Sequence, residues 1–335
     1  MKRYIKLTSL LLAFTCIFGT LLCSCGSSAD ANGIKYDETI LSVGGHEVSY
    51  GLYRYFFLNY KAGYTEAQLS ENPDKVYGEI KEACYESLCG LYSIIAMCAD
   101  HGIGVSDEDI KQKVATTKDS IKEQYKATGD KSGEKGFREE MEANFMTEEV
   151  FNFVFAVDFC EEKLFTKMTS ADGALYTDDA TFRRILDEEF VRVLQIYIST
   201  DNKDKTYEEC KALAEKVAKK AKEGADFNEL VAENSNDYSM TRDGYYMPRG
   251  WMDEKFETVA FALEEGEVSD VLELGDGFHI IKRFEKEDTY IEKNYDTLKE
   301  RYLTCRFYEK VDVRQAALHV TEHELFAKVK PEKIG

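Results

Sequence analysis

The chain is short of positive charge, of histidine and of long apolar runs, and each shortage removes a class of function. Only 43 lysines and arginines stand against 63 acids in 335 residues, a formal charge of −20. A surface that anionic repels phosphate backbones and anionic lipid headgroups alike, so nucleic-acid binding and electrostatic adhesion to a membrane are both disfavoured. The five histidines and nine cysteines form no CxxC and no Cys/His cluster, and no metal or other cofactor is expected. Cys84, Cys89, Cys98, Cys160, Cys210 and Cys305 sit at helical-looking positions and read as small core hydrophobes in preference to disulfides or ligands. No pair of α/β lobes is visible, which argues against a solute-binding protein.

The apolar stretch Leu7–Leu22 follows Met1-Lys2-Arg3-Tyr4-Ile5-Lys6. A basic start and an apolar run too short to span a bilayer describe a signal peptide and not an anchor. The run ends in Leu22-Cys23-Ser24-Cys25, which resembles a bacterial lipobox. That resemblance implies a lipoprotein signal peptide over 1–24, a lipid on Cys25, and a flexible tether over 25–33, where Gly, Ser, Ala and Asn predominate. Ordinary cleavage near Cys25 without lipid is the alternative. Losing Lys2, Arg3 and Lys6 moves the formal charge from −20 to about −23, so the two acyl chains of a diacylglyceryl group would have to hold the protein at the membrane.

The remaining length calls for two or more compact units. Residues 40–49 read as a hairpin about Gly44-Gly45, leading into an aromatic helix over Tyr50–Tyr60. Apolar residues at Val76, Ile80, Cys84, Leu88, Leu91 and Ile95 give one buried face to a long helix. Ser106-Asp107-Glu108-Asp109 opens the next helix, with acids at its positive end. The polar, glycine-containing stretch Lys126–Gly136 reads as a loop. The run Phe151–Phe159 is apolar nearly all round and reads as a core helix. Phe190–Ser199 alternates as a strand with Val191, Val193, Gln195 and Tyr197 on one face, and Thr206-Tyr207-Glu208-Glu209 is a capping box. Ile291, Tyr295, Leu298, Tyr302 and Cys305 make the apolar stripe of a further long helix.

Five elements agree in order and register: Met247-Pro248-Arg249-Gly250-Trp251-Met252, then Phe256, Phe261-Ala262-Leu263, Gly266-Glu267-Val268-Ser269 and Gly277-Phe278-His279-Ile280-Ile281. This succession resembles the parvulin-type peptidyl-prolyl isomerases. With helical segments on either side, the whole resembles exported foldase lipoproteins of the PrsA and SurA type. The resemblance implies an α+β fold, in which a parvulin-like domain over 189–287, with a small antiparallel sheet, is inserted in a mainly α-helical chaperone domain. That outer domain is expected to be built from residues 34–188 and 288–335.

The resemblance also assigns roles. Met252 and Phe256, four apart on one helix face, match the proline-ring slot, with Trp251, Tyr246 and Phe278 as further substrate-binding residues. Asp237 stands where the family places an Asp or Cys beside the amide. His279 matches the second of the paired histidines, and Gln195 occupies the position of the first. Gln can donate and accept a hydrogen bond but cannot titrate, which lowers the expected activity. Tyr245 stands where a glycine turn is usual, so either the rim is reshaped or the alignment is shifted by one. No basic cluster adjoins the slot, which disfavours phosphorylated substrates.

Rotation about an X–Pro amide breaks no bond, so the chemistry needs neither nucleophile nor metal. The implied protein is an extracytoplasmic foldase, lipid-anchored to the bacterial cell membrane, that acts on unfolded or partly folded exported proteins with X–Pro bonds. The rival is a non-catalytic chaperone or peptide-binding lipoprotein with a degenerate parvulin domain. Replacing Cys25 by Ala is expected to release the protein from membranes or to block signal cleavage. Membrane fractionation and acyl mass check this: a mutant that stays with the membrane, beside a wild type with no acyl mass on Cys25, overturns it.

Overall fold

The computed structural model describes residues 29–129, 132–201 and 205–335. Cys25, the signal segment and the start of the expected tether lie outside them. The described residues form two compact units, one of residues 29–168 with 310–335, the other of residues 169–309.

In the first unit, β1 (Thr39–Val43) and β2 (His46–Ser49) pair antiparallel through Gly44 and Gly45. Both glycines have positive φ (57° and 86°), as a two-residue hairpin turn requires. Ser49 caps α1 (Tyr50–Lys61), whose Tyr50, Tyr53, Tyr55, Phe56 and Phe57 are all buried. Next come α2 (Glu66–Glu71), α3 (Pro73–Asp100) and α4 (Glu108–Ala127). Helix enters the expected Lys126–Gly136 loop from both sides, because α4 ends at Ala127 and α5 runs over Gly133–Ala143 with Ser132 as its cap. Its glycines are packing residues: a methyl group at Gly136 would lie 2.2 Å from Tyr125 Cγ, and one at Gly133 would lie 2.7 Å from the Lys122 carbonyl oxygen of α4. Close helix approach, not loop flexibility, explains them.

α6 (Glu148–Thr169) buries Phe151, Val154, Val157, Cys160 and Leu164, with Phe153, Phe155 and Phe159 half-buried. The end of the expected tether is structured. The Tyr50 hydroxyl donates to Asp30, and Asn32 Oδ1 accepts from the Lys330 backbone N–H at 2.8 Å.

The second unit begins with α7 (Asp179–Glu189) and the ten-residue β3 (Phe190–Ser199). Then follow α8 (Tyr207–Lys222), α9 (Phe227–Asn234), β4 (Tyr245–Pro248), α10 (Glu254–Ala262), β5 (Leu272–Leu274) and β6 (Gly277–Phe284). The sheet order is β4-β3-β6-β5, all antiparallel.

Strand alternation sends Leu194, Ile196, Ile198, Phe278 and Ile280 to one face, where α8 and α9 cover them with Cys210, Val217, Phe227 and Leu230. Val191, Val193, Met247 and Ile281 go to the other, under Phe256 and Ala260 of α10. The expected single helix beyond the sheet is broken near Asn294 into α11 (Asp288–Lys293) and α12 (Tyr295–Gln315). Ile291 and Leu298 from these helices join Phe182, Ile185 and Leu186 of α7 around Phe190 and Tyr246. This shared core is why the unit's limits, 169 and 309, lie outside the expected 189 and 287.

The first unit regains the chain at Lys310. There β7 (Val320–Glu322) pairs with β1 and completes a sheet of order β2-β1-β7. All six cysteines at 84, 89, 98, 160, 210 and 305 are buried and free.

Two glycine substitutions test the packing argument. Ala is a better helix former than Gly by about 1 kcal/mol, and nothing stands within 4 Å of a methyl at Gly78 in α3, so Gly78→Ala is expected to raise the urea midpoint of the first unit. Gly136→Ala is expected to lower it, since overpacking costs about 1–3 kcal/mol.

Candidate active site

The site lies on the α10 face of the second unit's sheet and starts from β3. In the register of β3 with β6, Tyr197 faces His279 and Gln195 faces Ile281. Gln195 and His279 are therefore diagonal neighbours on one face, within side-chain reach. Both are buried, at 6% and 5% exposure.

Their contacts form a continuous chain. His279 Nδ1 is 2.8 Å from Gln195 Oε1, and Gln195 Nε2 donates to Asp237 Oδ2 at 2.7 Å. The Asp237 carboxylate also accepts from the Ser239 hydroxyl (2.7 Å), the Tyr245 hydroxyl (2.8 Å) and the backbone N–H groups of Ser239 and Met240. At the far end, His279 Nε2 is 3.2 Å from Asp276 Oδ1.

The loop carrying Asp237 is tied to β3. The Tyr197 N–H donates to Ser235 Oγ, the Asn236 N–H to the Tyr197 carbonyl, and the Ser199 N–H to Asn236 Oδ1. Beyond Val193, where β4 stops pairing, this loop takes over the edge of β3.

Environment sets the charges. Burial alone would push the Asp237 carboxyl up, but hydrogen bonds from Ser239, Tyr245 and Gln195 hold it below the usual carboxylate range. Burial lowers the His279 imidazole against the opposing pull of Asp276. The Tyr245 phenol is pushed up to about 12, first by burial. At neutral pH Asp237 is thus ionised, the His279 imidazole neutral and the Tyr245 phenol protonated.

Apolar groups flank it. Phe256, 2% exposed, presents its ring edge-on to His279 at 6.1 Å, and Tyr197 stacks on the imidazole at 4.8 Å. Met252 and Trp251, both half-buried, pack on the same cluster as Phe256. Met252 precedes the helix, because Asp253 is the cap of α10. Its position beside Phe256 comes from Glu257, a buried carboxylate that accepts from the Gly250 and Met252 N–H groups at 2.8 Å each. Gly250 takes φ 87° in that turn. The Arg301 guanidinium lies 4.6 Å over the Trp251 ring.

Two expected substrate residues lie elsewhere. Tyr246 points to the opposite sheet face, stacked on Tyr290 at 4.2 Å, with its hydroxyl accepting from the Glu287 N–H. Phe278 is buried on that same face beside Tyr207. In each strand the neighbours Tyr245 and His279 take the site face, as a period of two demands. The tight turn near Tyr245 is made by Gly244, with φ 74°, where a methyl would lie 2.5 Å from the Val193 carbonyl oxygen.

Tyr245, Glu257 and Asp276 are the residues that motif reading did not place in the site. Glu257 was legible only as the companion of Phe256, and Asp276 only as the centre of Gly275-Asp276-Gly277. Nothing in the sequence shows that Tyr245 reaches Asp237.

Residues 196–285 match the family model of the rotamases, the PPIC-type PPIASE domain. The chain is 36% identical to the foldase protein PrsA of Bacillus subtilis over 113 residues, 33% of this chain and 38% of that one. It is 26% identical to the foldase protein PrsA of Oceanobacillus iheyensis over 212 residues, 62% of each. It thus spans less than two thirds of the length of these curated relatives. A crystal structure of the peptidylprolyl isomerase PrsA from Bacillus anthracis aligns with 69% of this chain and 96% of its own, at 18% identity and a TM-score of 0.38. Residues 196–285 are accordingly a PPIC-type, or parvulin, domain, carried by a chain similar to the foldase proteins PrsA.

Proposed function

We propose that this protein catalyses cis–trans isomerisation of X–Pro bonds and serves as a foldase and chaperone for exported proteins, held at the outer side of the bacterial cell membrane by a lipid on Cys25. The observation that carries the catalytic part is the hydrogen-bonded chain Asp237–Gln195–His279 lying beside Phe256. The similarity to PrsA supports the foldase part, and the lipobox supports the anchor.

A planar X–Pro amide resists rotation by about 18–20 kcal/mol because its nitrogen lone pair is shared with the carbonyl. Twisting undoes that sharing and returns charge from oxygen to nitrogen. A site favours the twisted state by gripping the ring in an apolar slot, excluding water and holding charges fixed. In this reading Met252 and Phe256 supply the slot. Asp237, kept ionised by its hydrogen bonds, supplies a fixed negative charge that penalises a charge-rich planar carbonyl more than a twisted one. His279 and Gln195 are buried and act through Asp237. The rival, a peptide-binding domain without catalysis, draws on Gln195 standing where the parvulins pair two histidines.

A protease-coupled proline isomerisation assay on the full chain separates the two readings. Met252→Ala is expected to lower kcat/KM at least about tenfold, a transition-state loss of about 1.4 kcal/mol, with folding retained because Met252 is only half-buried. Phe256→Ala is expected to lose activity and also about 3–5 kcal/mol of stability as a core truncation. Gln195→His is expected to leave activity unchanged or raise it. If neither wild type nor Gln195→His accelerates isomerisation above background, the pocket binds without catalysing.

The pH profile is a separate check. His279 titrates below the ordinary imidazole value of about 6.5 and Asp237 below the ordinary carboxylate value of about 3.9. Folding stability linked to Asp237 is therefore present above its unfolded value and lost as pH falls through the folded one. Activity is expected to show no inflection near pH 6.5; one there contradicts the assignment.

A further inference from the structure

We infer that Gln195 is a one-way relay that holds His279 in a single tautomer, with the proton on Nδ1. Two contacts lead there. An ionised Asp237 can only accept hydrogen bonds, so the amide group facing it at 2.7 Å must be the NH₂ of Gln195. The same amide then turns its oxygen to His279 Nδ1 at 2.8 Å, and an amide oxygen can only accept. Nδ1 must therefore carry the proton, and in a neutral imidazole Nε2 is bare.

One group opposes this arrangement. Asp276, from the β5–β6 turn, stands 3.2 Å from Nε2 and would draw the proton there. Its side chain is 50% exposed, whereas the His279 side chain is 7% exposed, so water screens its pull while the shorter bond to Gln195 acts inside the protein. Asp237, on the loop before β4, adds a weaker pull of the same sign from beyond Gln195; Tyr197 of β3, which stacks on the imidazole, and Phe256 of α10, which meets it edge-on, bring no charge. From β4, Tyr245 spends its hydroxyl on Asp237 and Ser239.

The substitution thus has a consequence a second histidine would not have. Two imidazoles can exchange the direction of their shared hydrogen bond, because each nitrogen can be donor or acceptor. Donor and acceptor of an amide are different atoms, and Asp237 dictates which way they point. Gln195 is a positioning residue: its NH₂ donates to the ionised Asp237 and its oxygen holds the His279 proton on Nδ1. The importance of this for turnover rests on the isomerase reading above; the tautomer itself does not.

The test is ¹⁵N NMR of the histidine side chains in the full chain, with the His279 signals identified by their loss in His279→Asn. At pH 7 the wild type is expected to show a pyrrole-type Nδ1 and a pyridine-type Nε2. The reverse pattern, or exchange averaging of the two nitrogens, overturns the inference. Gln195→Glu, nearly the same shape, places a carboxyl oxygen against Nδ1 and, in its ionised form, cannot donate to Asp237. It is expected to raise the His279 titration by about one unit or more above that of the wild type; an unchanged titration overturns the inference. Should that variant not fold, the wild-type spectrum decides alone. A locked tautomer in a protein without isomerase activity sinks the proposed function only, and an averaging tautomer in an active protein sinks this inference only.

Discussion

The second unit depends on one constraint, that β3 has almost no solvent face. Nine of its ten residues from Phe190 to Ile198 alternate between two packed layers, and only Tyr197 and Ser199 are partly open. A strand buried on both sides normally reads as an unbroken apolar run. Here the run is broken at Arg192 and Gln195, both buried, and burying such groups unpaired would cost several kcal/mol. Each is therefore satisfied in full view of the chain. Arg192 donates to the Asp243 and Glu285 carbonyls and pairs with Glu287, while Gln195 joins Asp237 to His279. The two polar interruptions act as opposite anchors: the first ties the sheet to the loops that enter β4 and leave β6, and the second builds the site.

The same economy governs the loops. Asp237 and Glu257 each use a carboxylate to gather backbone N–H groups from a turn that would otherwise lack partners. One of those turns presents the carboxylate itself; the other presents Met252. A catalytic centre that works by position and fixed charge needs such support, since a shift of about 1 Å in a positioned group can cost a large part of its effect. Rigidity here comes from hydrogen bonds to backbone more than from the length of the flanking strands, as β4 and β5 have only four and three residues.

In the first unit the corresponding constraint is closure. β1 is central in its sheet because β7, from the far end of the chain, covers the edge that β2 leaves open. An uncovered edge strand is a template for aggregation. The aromatic helix α1 then packs under this sheet, and Tyr53 meets Phe326 edge-on at 5.3 Å. The chain's return at Lys310 thus completes both the sheet and the core beneath it.

Local order was written in the residues themselves. Periodicity, caps and paired glycines placed the β1–β2 hairpin, α1, α3, β3 and α8, because those signals depend on neighbours within a few positions. The parvulin motifs likewise named Asp237, Gln195, Met252, Phe256 and His279. Where composition misled, the deciding partner was distant. Gly133 and Gly136 looked like loop residues, and only the approach of α4 shows that they let two helices touch. Tyr246 and Phe278 looked like pocket residues, and only the sheet register, set by pairing with β3, turns them to the far side. Tyr245, Glu257 and Asp276 gained their roles from contacts with residues that are separate in sequence or hidden by a turn. The sequence by itself determined the locally coded hairpin, helices and strand named above and which family's motifs they carry. The tertiary structure alone decided which side chains of different strands and loops meet on one face, since a shift of one residue in register would exchange the site for the core.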